Sequence, residues 1–341
     1  MECSSCRMEP LGIELRCGGE ESLLAVREAA DQLRNQGKDA VFEDNILRIS
    51  EADLPGMLDF CRDHADTEAI AFRIAAGGGW RSLAEAGSIA GTKWVDDLIR
   101  EERISCHIQP IVNGNGELYA YEFLARFIRE DGTLIYPGEM FQAARERGRL
   151  YALDKACRMA AVRHAAPLKT RAFINFVPTA IYAPEYCLRT TVNLAAKLGA
   201  DPSLLVFEVV ETDKVEDTEH LKRIMAYYRE RGFRCALDDT GAGYSTEELL
   251  AELSPHYMKL DMQHVQGVAR DADKQRSALS FLEAALRVGA VPLAEGIEQQ
   301  EDFDWLKLQG YQLFQGYLFG RPAPVDRYYP GRSDAAAAVI A

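Results

Sequence analysis

Acidic and amide side chains recur at the ends of short apolar runs through the later two-thirds of the chain. "LYAYEFLARF" carries Glu122 and then Arg126, "TRAFINFVP" carries Asn175, and "SLLVFEVVET" carries Glu208 and Glu211. "RCALDD" ends in Asp238 and Asp239, "HYMKLD" in Lys259 and Asp261, "AVPLAEGIE" in Glu295 and Glu298, and "YQLFQG" in Gln315. A single acid at a strand end is an ordinary helix cap. Strand after strand ending in an acid, an amide or a lysine is a different pattern, because in a parallel β/α barrel such ends converge on one face. Carboxylates gathered there are costly to bury unless cations offset them. The donors are oxygens, with no histidine or cysteine among them, which suits hard ions such as Mg²⁺ or Mn²⁺ better than a thiolate zinc site. A lone lysine in that company suits metal-assisted hydrolysis of a phosphate ester.

The elements that would position these residues follow from periodicity. Over residues 91–325, strand-like and helix-like runs alternate, which predicts an α/β fold. The length suits a (β/α)8, TIM-like barrel, typically ~250 residues. Residues 1–90 read as a separate small α+β domain. "LGIELRC" alternates as a strand, "EESLLAVREAADQLRNQ" has helical spacing, and "DAVFEDNILRIS" reads as two strands about a tight Glu43-Asp44-Asn45 turn. A second helix, "EADLPGMLDFCRDHA", and a further strand, "EAIAFRIAA", complete the β-α-β-β-α-β order of a ferredoxin-like fold. Gly77–Trp80 punctuates the chain as a linker, and residues 326–341 read as a C-terminal tail.

Composition narrows the partners. A net charge of −14 argues against a broad groove for a nucleic-acid polymer, yet permits a small anionic ligand whose charge is neutralised locally by metal ions. No apolar run has the length of a membrane span, and "MECSSCRMEP" lacks a basic-then-apolar signal pattern, so the expectation is a cytoplasmic protein without membrane insertion. The scattered cysteines read as reduced core residues.

Taken together, the motifs resemble the EAL domain, the cyclic di-GMP phosphodiesterase family, over Ser105 to Pro322. The signature Glu-Ala-Leu stands here as Glu122-Phe123-Leu124, Asn-x-x-Pro as Asn175 to Pro178, and Glu-x-x-Glu as Glu208 to Glu211. The acidic glycine-rich loop is "DDTGAGYS", Lys-x-Asp is Lys259 to Asp261, and "EGIE" and "QGYLFGRP" close the series in order.

The resemblance implies hydrolysis of one phosphodiester of cyclic di-GMP, giving linear pGpG, with two Mg²⁺ or Mn²⁺ ions. Glu122, Asn175, Glu208 and Asp238 match ligands of the first ion, and Asp238, Asp239 and Asp261 match positions about the second. Lys259 matches the residue that polarises or deprotonates the attacking water, and a lysine ringed by cations is expected to have a lowered pKa. Glu122 and Glu295 join it as catalytic residues. Gln109, Arg126 and Gln315 match contacts to the ligand, and Glu211 matches the anchor of the glycine-rich loop. The family commonly forms homodimers. The alternative is a catalytically weak or inactive EAL-domain receptor for cyclic di-GMP.

Two departures stand out. Phe123 replaces the signature alanine; strand alternation points it away from Glu122 and into packing, with the chemistry intact. Thr240 replaces a phenylalanine in the loop that orders the second metal site, and a β-branched polar residue cannot reproduce an aromatic ring's packing. Elsewhere plainer readings apply. Glu298 reads as a structural partner near the site, Tyr244 and Ser245 as loop-shaping residues, and His107, His256 and His264 as surface or satisfied core histidines. Cys3-x-x-Cys6 and Cys61-x-x-His64 look like zinc half-sites, but the proposed topology puts Cys61 near Cys17 instead. Cys61 then reads as a buried helix residue and Cys3/Cys6 as an exposed thiol pair, with a metal-binding or redox pair as the other reading.

Overall fold

A computed structural model describes residues 9–75, 79–210, 217–238 and 247–329. The chain divides into two compact units. One holds the residues up to Arg103 together with Phe127–Leu153; the other holds Ile104–Arg126 and the residues from Asp154 onward.

In the first unit, β1 (Gly12–Cys17), α1 (Glu20–Asn35), β2 (Ala40–Glu43), β3 (Ile46–Ser50), α2 (Leu54–His64) and β4 (Ile70–Ile74) follow the expected order. The strands form an antiparallel sheet, β2-β3-β1-β4, extended by β5 (Arg81–Ser82), which is the split arrangement of a ferredoxin-like domain. Alternation along β1 decides its faces: Ile13 and Leu15 enter a core shared with Val26 and Ala30 of α1 and Met57, Leu58 and Cys61 of α2. Glu14 points the other way, directly opposite Arg48 on β3 and Arg73 on β4, and accepts from both at 2.9 and 2.6 Å. Asp44 and Asn45 take left-handed φ values of 50° and 61°, the turn that matches the twist of a two-residue hairpin. Cys17 packs against the cluster that contains Cys61, as the topology predicts. Cys3 and Cys6 lie outside the described residues.

The first unit also holds α3 (Gly87–Gly91) and α4 (Trp94–Arg100). The chain then leaves it through β6 (Ile104–Asn113) and most of β7 (Leu118–Ile128), and returns for β8 (Leu134–Ile135) and α5 (Pro137–Glu146). A buried charge cluster ties these pieces together. Arg147, 1% exposed, donates from Nε and Nη2 to both oxygens of Asp96 at 2.8 and 2.7 Å, and from Nη1 and Nη2 to Glu51 at 2.8 and 3.0 Å. Arg149 donates to the same Asp96 at 3.0 and 3.2 Å. Burial alone would raise the Asp96 carboxyl, but hydrogen bonds and charge from Arg147 and Arg149 bring it below its ordinary value.

The second unit takes up α6 (Leu150–Ala165) from Asp154 onward, followed by β9 (Arg171–Phe176), α7 (Pro184–Cys187), α8 (Arg189–Lys197) and β10 (Leu205–Val209). Then come α9 (Thr218–Arg229), β11 (Arg234–Leu237), α10 (Glu247–Leu253), β12 (Tyr257–Leu260), α11 (Met262–Val265), α12 (Ala272–Arg287), β13 (Val291–Ala294), α13 (Gln300–Gln309), β14 (Leu313–Gln315), β15 (Ala323–Pro324) and α14 (Val325–Tyr328). From β7 through β9 to β14, neighbouring strands are parallel, and β6 closes the ring between β14 and β7. The expected eight-stranded TIM-like barrel is present, with one difference: β6 runs antiparallel to β14. A short turn joins β6 directly to β7, with no intervening helix, so the first strand of the barrel is reversed. At the end of the described residues, Tyr328 and Tyr329 set their rings against Tyr121 at 5.5 and 5.7 Å, so this start of the expected tail is packed. Among the described residues, no helix is long and apolar enough to cross a membrane.

Candidate active site

The barrel interior is built in layers by strand alternation. Ile111, Ala120, Phe173, Val206, Ala236, Tyr257, Leu293 and Leu313 form a continuous apolar plug, with the Tyr119 and Tyr257 hydroxyls 2.9 Å apart. A step of two along a strand keeps a side chain on the same face. Two residues beyond each plug residue on the parallel strands stand Glu122, Asn175, Glu208, Asp238, Lys259, Glu295 and Gln315. On β6, which runs the other way, the residue that joins this layer precedes its plug residue by two; it is Gln109, within hydrogen-bond reach of Gln315. One polar layer therefore caps one apolar layer at the carboxyl ends of the parallel strands.

Hydrogen bonds join this layer around the ring. Gln109 Nε2 donates to the Gly320 carbonyl at 3.1 Å, while its Oε1 accepts from Gln315 Nε2 at 3.1 Å. Gln315 Nε2 also donates to Glu122 Oε2 at 2.6 Å, and Asn175 Nδ2 donates to Glu122 Oε1 at 2.9 Å. Opposite them, Lys259 Nζ is ion-paired with Glu208 and Glu295, with Glu122 and Asp238 oxygens at 3.9 and 4.0 Å. One ammonium thus sits among four carboxylates.

That imbalance sets the protonation of the group. Burial alone would lower the Lys259 ammonium, but Asp238, Glu122 and Glu208 outweigh it and hold it well above the ordinary lysine value. The lowering expected of a lysine ringed by cations would require that anionic surrounding to be offset. Burial, reinforced by Glu122 and Asp238, pushes the Glu208 carboxyl well above its usual range despite Lys259. Glu122 is held low: burial opposes ionisation, but Lys259, the amides of Gln315 and Asn175, and Arg126 overcome it.

The donor chemistry fits a hard cation. Asn175 Oδ1, Glu208 Oε2 and Gln315 Oε1 are buried oxygens without a hydrogen-bond partner. Glu208, Asp238 and Glu295 each offer an oxygen, all within 4.8 Å of one another. Surplus negative charge and unsatisfied oxygens together are what a divalent cation would resolve.

The EAL domain family model matches residues 92–322. The chain belongs to the EAL-domain family. Relatives include the probable cyclic di-GMP phosphodiesterase PdeG of Escherichia coli, 32% identical over 63% of this chain and 43% of the relative. Cyclic di-GMP phosphodiesterase PdeL of Escherichia coli is 27% identical over 65% of this chain and 63% of the relative. The chain thus spans less than two-thirds of either relative's length. Among solved structures, a standalone versatile EAL protein from Vibrio cholerae in its c-di-GMP bound form is 35% identical, with a TM-score of 0.57 over 64% of this chain and 92% of that one. The FimX EAL domain of Xanthomonas citri, at 19% identity over 71% of this chain and 97% of that one and a TM-score of 0.65, shares the fold.

Within this EAL domain, the residues singled out by sequence meet different surroundings. Gln109, Glu122, Asn175, Glu208, Asp238, Lys259, Glu295 and Gln315 form the polar layer, and Arg126 acts electrostatically on Glu122 from the end of the same strand. Asp261 is held differently: its Oδ1 accepts from the Gln263 backbone N–H at 2.7 Å and caps α11. Asp239, Thr240, Tyr244, Ser245 and Glu211 lie outside the described residues. Glu298 is exposed. His256 is a structural acceptor for the Cys235 N–H at 3.1 Å.

Phe123 is buried and alternates away from Glu122, as expected. Glycines hold the layer's edges. A Cβ on Gly316, next to Gln315, would lie 2.0 Å from the Ile297 carbonyl oxygen, and Gly296, next to Glu295, needs its φ of +68°. Sequence reasoning missed Asp154, a buried carboxylate on α6 that accepts from the N–H of Val177, two residues after Asn175, at 2.9 Å.

Proposed function

We propose that this chain is a metal-dependent phosphodiesterase that hydrolyses one phosphodiester of cyclic di-GMP to linear pGpG, using Mg²⁺ or Mn²⁺. The observation that carries the reading is the single lysine among four carboxylates, flanked by buried oxygens with no partner. Glu122, Asn175, Glu208 and Asp238 would hold one ion, and Asp238, Asp239 and Asp261 a second. Bound there, two cations supply charge stabilisation to the attacking and leaving oxygens. Lys259 Nζ, with its carboxylate neighbours offset by that charge, takes the proton of the attacking water. Gln109, Arg126 and Gln315 orient the ligand's phosphate and nucleotide, Glu295 orders the water, and Glu211 anchors the glycine-rich loop. Residues 1–90 act as a regulatory or interaction domain on a 91–325 catalytic domain, and the protein works as a homodimer.

The experiment is incubation of purified protein with cyclic di-GMP and Mg²⁺ or Mn²⁺, followed by chromatography for pGpG. Thr240 supports a second reading, a receptor that binds cyclic di-GMP and passes the signal on. Tight binding with no product under either metal would establish that reading in place of the first.

A further inference from the structure

We propose that Asp154, braced by Arg158, is a positioning residue that fixes the turn after β9 so that the side-chain oxygen Oδ1 of Asn175 is held ready for a cation. The proposal rests on the reading of Asn175 as a metal ligand.

The chain after Asn175 has a local hydrogen-bonding problem. β9 ends at Phe176, whose carbonyl still accepts from Val210, while Val177 begins a tight turn whose carbonyl accepts from Ala180. Pro178, the next residue, has no N–H to offer. The Val177 N–H is buried, and a buried backbone donor needs an acceptor. Asp154 Oδ1 supplies it at 2.9 Å. The other carboxylate oxygen, Oδ2, accepts from Arg158 Nε at 2.9 Å, and Arg158 Nη1 donates to the Thr191 hydroxyl of α8 at 3.0 Å. Asp154, Arg158 and Thr191 are 2%, 0% and 0% exposed, so this is not a solvent-facing helix pair.

The consequence concerns Asn175. Its side-chain Nδ2 is fixed by Glu122, and its Oδ1 is buried without a partner. An amide held at one atom still moves with its backbone, and the Asp154 bond to Val177 restrains that backbone two residues away. Partners that orient a ligand in this way typically contribute 10–100-fold to metal affinity.

Two double variants isolate the effect. Both Asp154→Leu/Arg158→Met and Asp154→Asn/Arg158→Met remove the buried charges together, so neither leaves an unpaired ion. Only the asparagine can still accept from Val177. Mn²⁺ affinity, measured by calorimetry on the full chain, is expected to fall about 10–100-fold in the leucine variant and to stay near wild type in the asparagine variant. Equal affinity in the two folded variants, whether both weakened or both intact, overturns the proposal. Hydrogen exchange at Val177 in the wild type is a readout that needs no variant: strong protection supports the anchor, and exchange as fast as a free turn amide overturns it. Asn175→Ala serves as the control. If it leaves Mn²⁺ affinity unchanged, what fails is the ligand assignment of Asn175, while Val177 protection still reports on the anchor.

Discussion

Lys259 and Glu208 are ion-paired where neither side chain reaches solvent, at 1% and 0% exposure. Each partner makes the other tolerable, since a buried charge left alone is strongly destabilising. With Glu122, Asp238 and Glu295 also around the ammonium, the pair lies inside an excess of negative charge. This relationship supports both a cation requirement and a proton-handling role for Lys259.

Lys259→Ala is expected to lower the pGpG-forming rate by about 10²–10⁴, the range for a positioned proton-transfer group, while cyclic di-GMP binding persists. Single-turnover rates and calorimetric binding on the same preparation check it. An unchanged rate would reject the role.

Chelation should abolish turnover, and re-addition of Mg²⁺ or Mn²⁺ should restore it. Because the ion binds the folded chain, it should also stabilise it by about 2.7 kcal/mol at a hundredfold excess over the dissociation constant, and so raise the melting temperature. Glu208→Gln is expected to lose most of that metal-dependent shift in a thermal melt.

Phe123→Ala places the family's residue in the signature. Removing a buried ring is expected to cost about 3–5 kcal/mol in urea unfolding. The rate per folded molecule should stay within about threefold of wild type, because Phe123 lies on the strand face opposite Glu122. A collapse of the rate at preserved folding would show that the position acts on the chemistry.

Arg147→Met breaks the buried cluster with Asp96 and Glu51 and leaves those carboxylates short of a partner. The expected loss is about 3–5 kcal/mol, read from urea unfolding at neutral pH. A loss below about 1 kcal/mol would mean that the carboxylates find other partners.

The same cluster predicts a pH response. The Asp96 carboxyl is held below its ordinary value in the folded chain: burial opposes ionisation, but Arg147 and Arg149 outweigh it. A depressed carboxyl contributes stability that is complete above the unfolded pKa, about 3.9, and is lost as pH falls through the folded value. Asp96→Asn should therefore lower the melting temperature near neutrality and flatten its fall below about pH 4. Parallel melting curves for the two proteins would contradict the assignment.

The legible parts of this molecule were those that repeat with a simple period. Glu122, Asn175, Glu208, Asp238, Lys259, Glu295 and Gln315 could be picked out because each closes an apolar run, and parallel strands carry their ends to one face. Gln109 was not found that way. Its strand is reversed, so it precedes its plug residue Ile111 in sequence, and only the motif resemblance brought it in. Asp154 and Arg158, four apart on a helix, look by spacing like an ordinary exposed ion pair.

The sequence alone therefore determined the family and the architecture that holds its site. Local alternation assigns faces, and the ordered motifs assign the family. It also placed Phe123 correctly, since alternation is a property of the strand itself. Only the tertiary structure decided the surroundings of Lys259 and of Asp154. Around Lys259 the fold gathers carboxylates from the ends of four other strands, which favour its charged form. Asp154 became an acceptor for Val177 because the barrel brings α6 against the end of β9. Both depend on which distant residues meet at short range, and electrostatic and hydrogen-bond energies are set by that distance and by burial, neither of which spacing along the chain specifies.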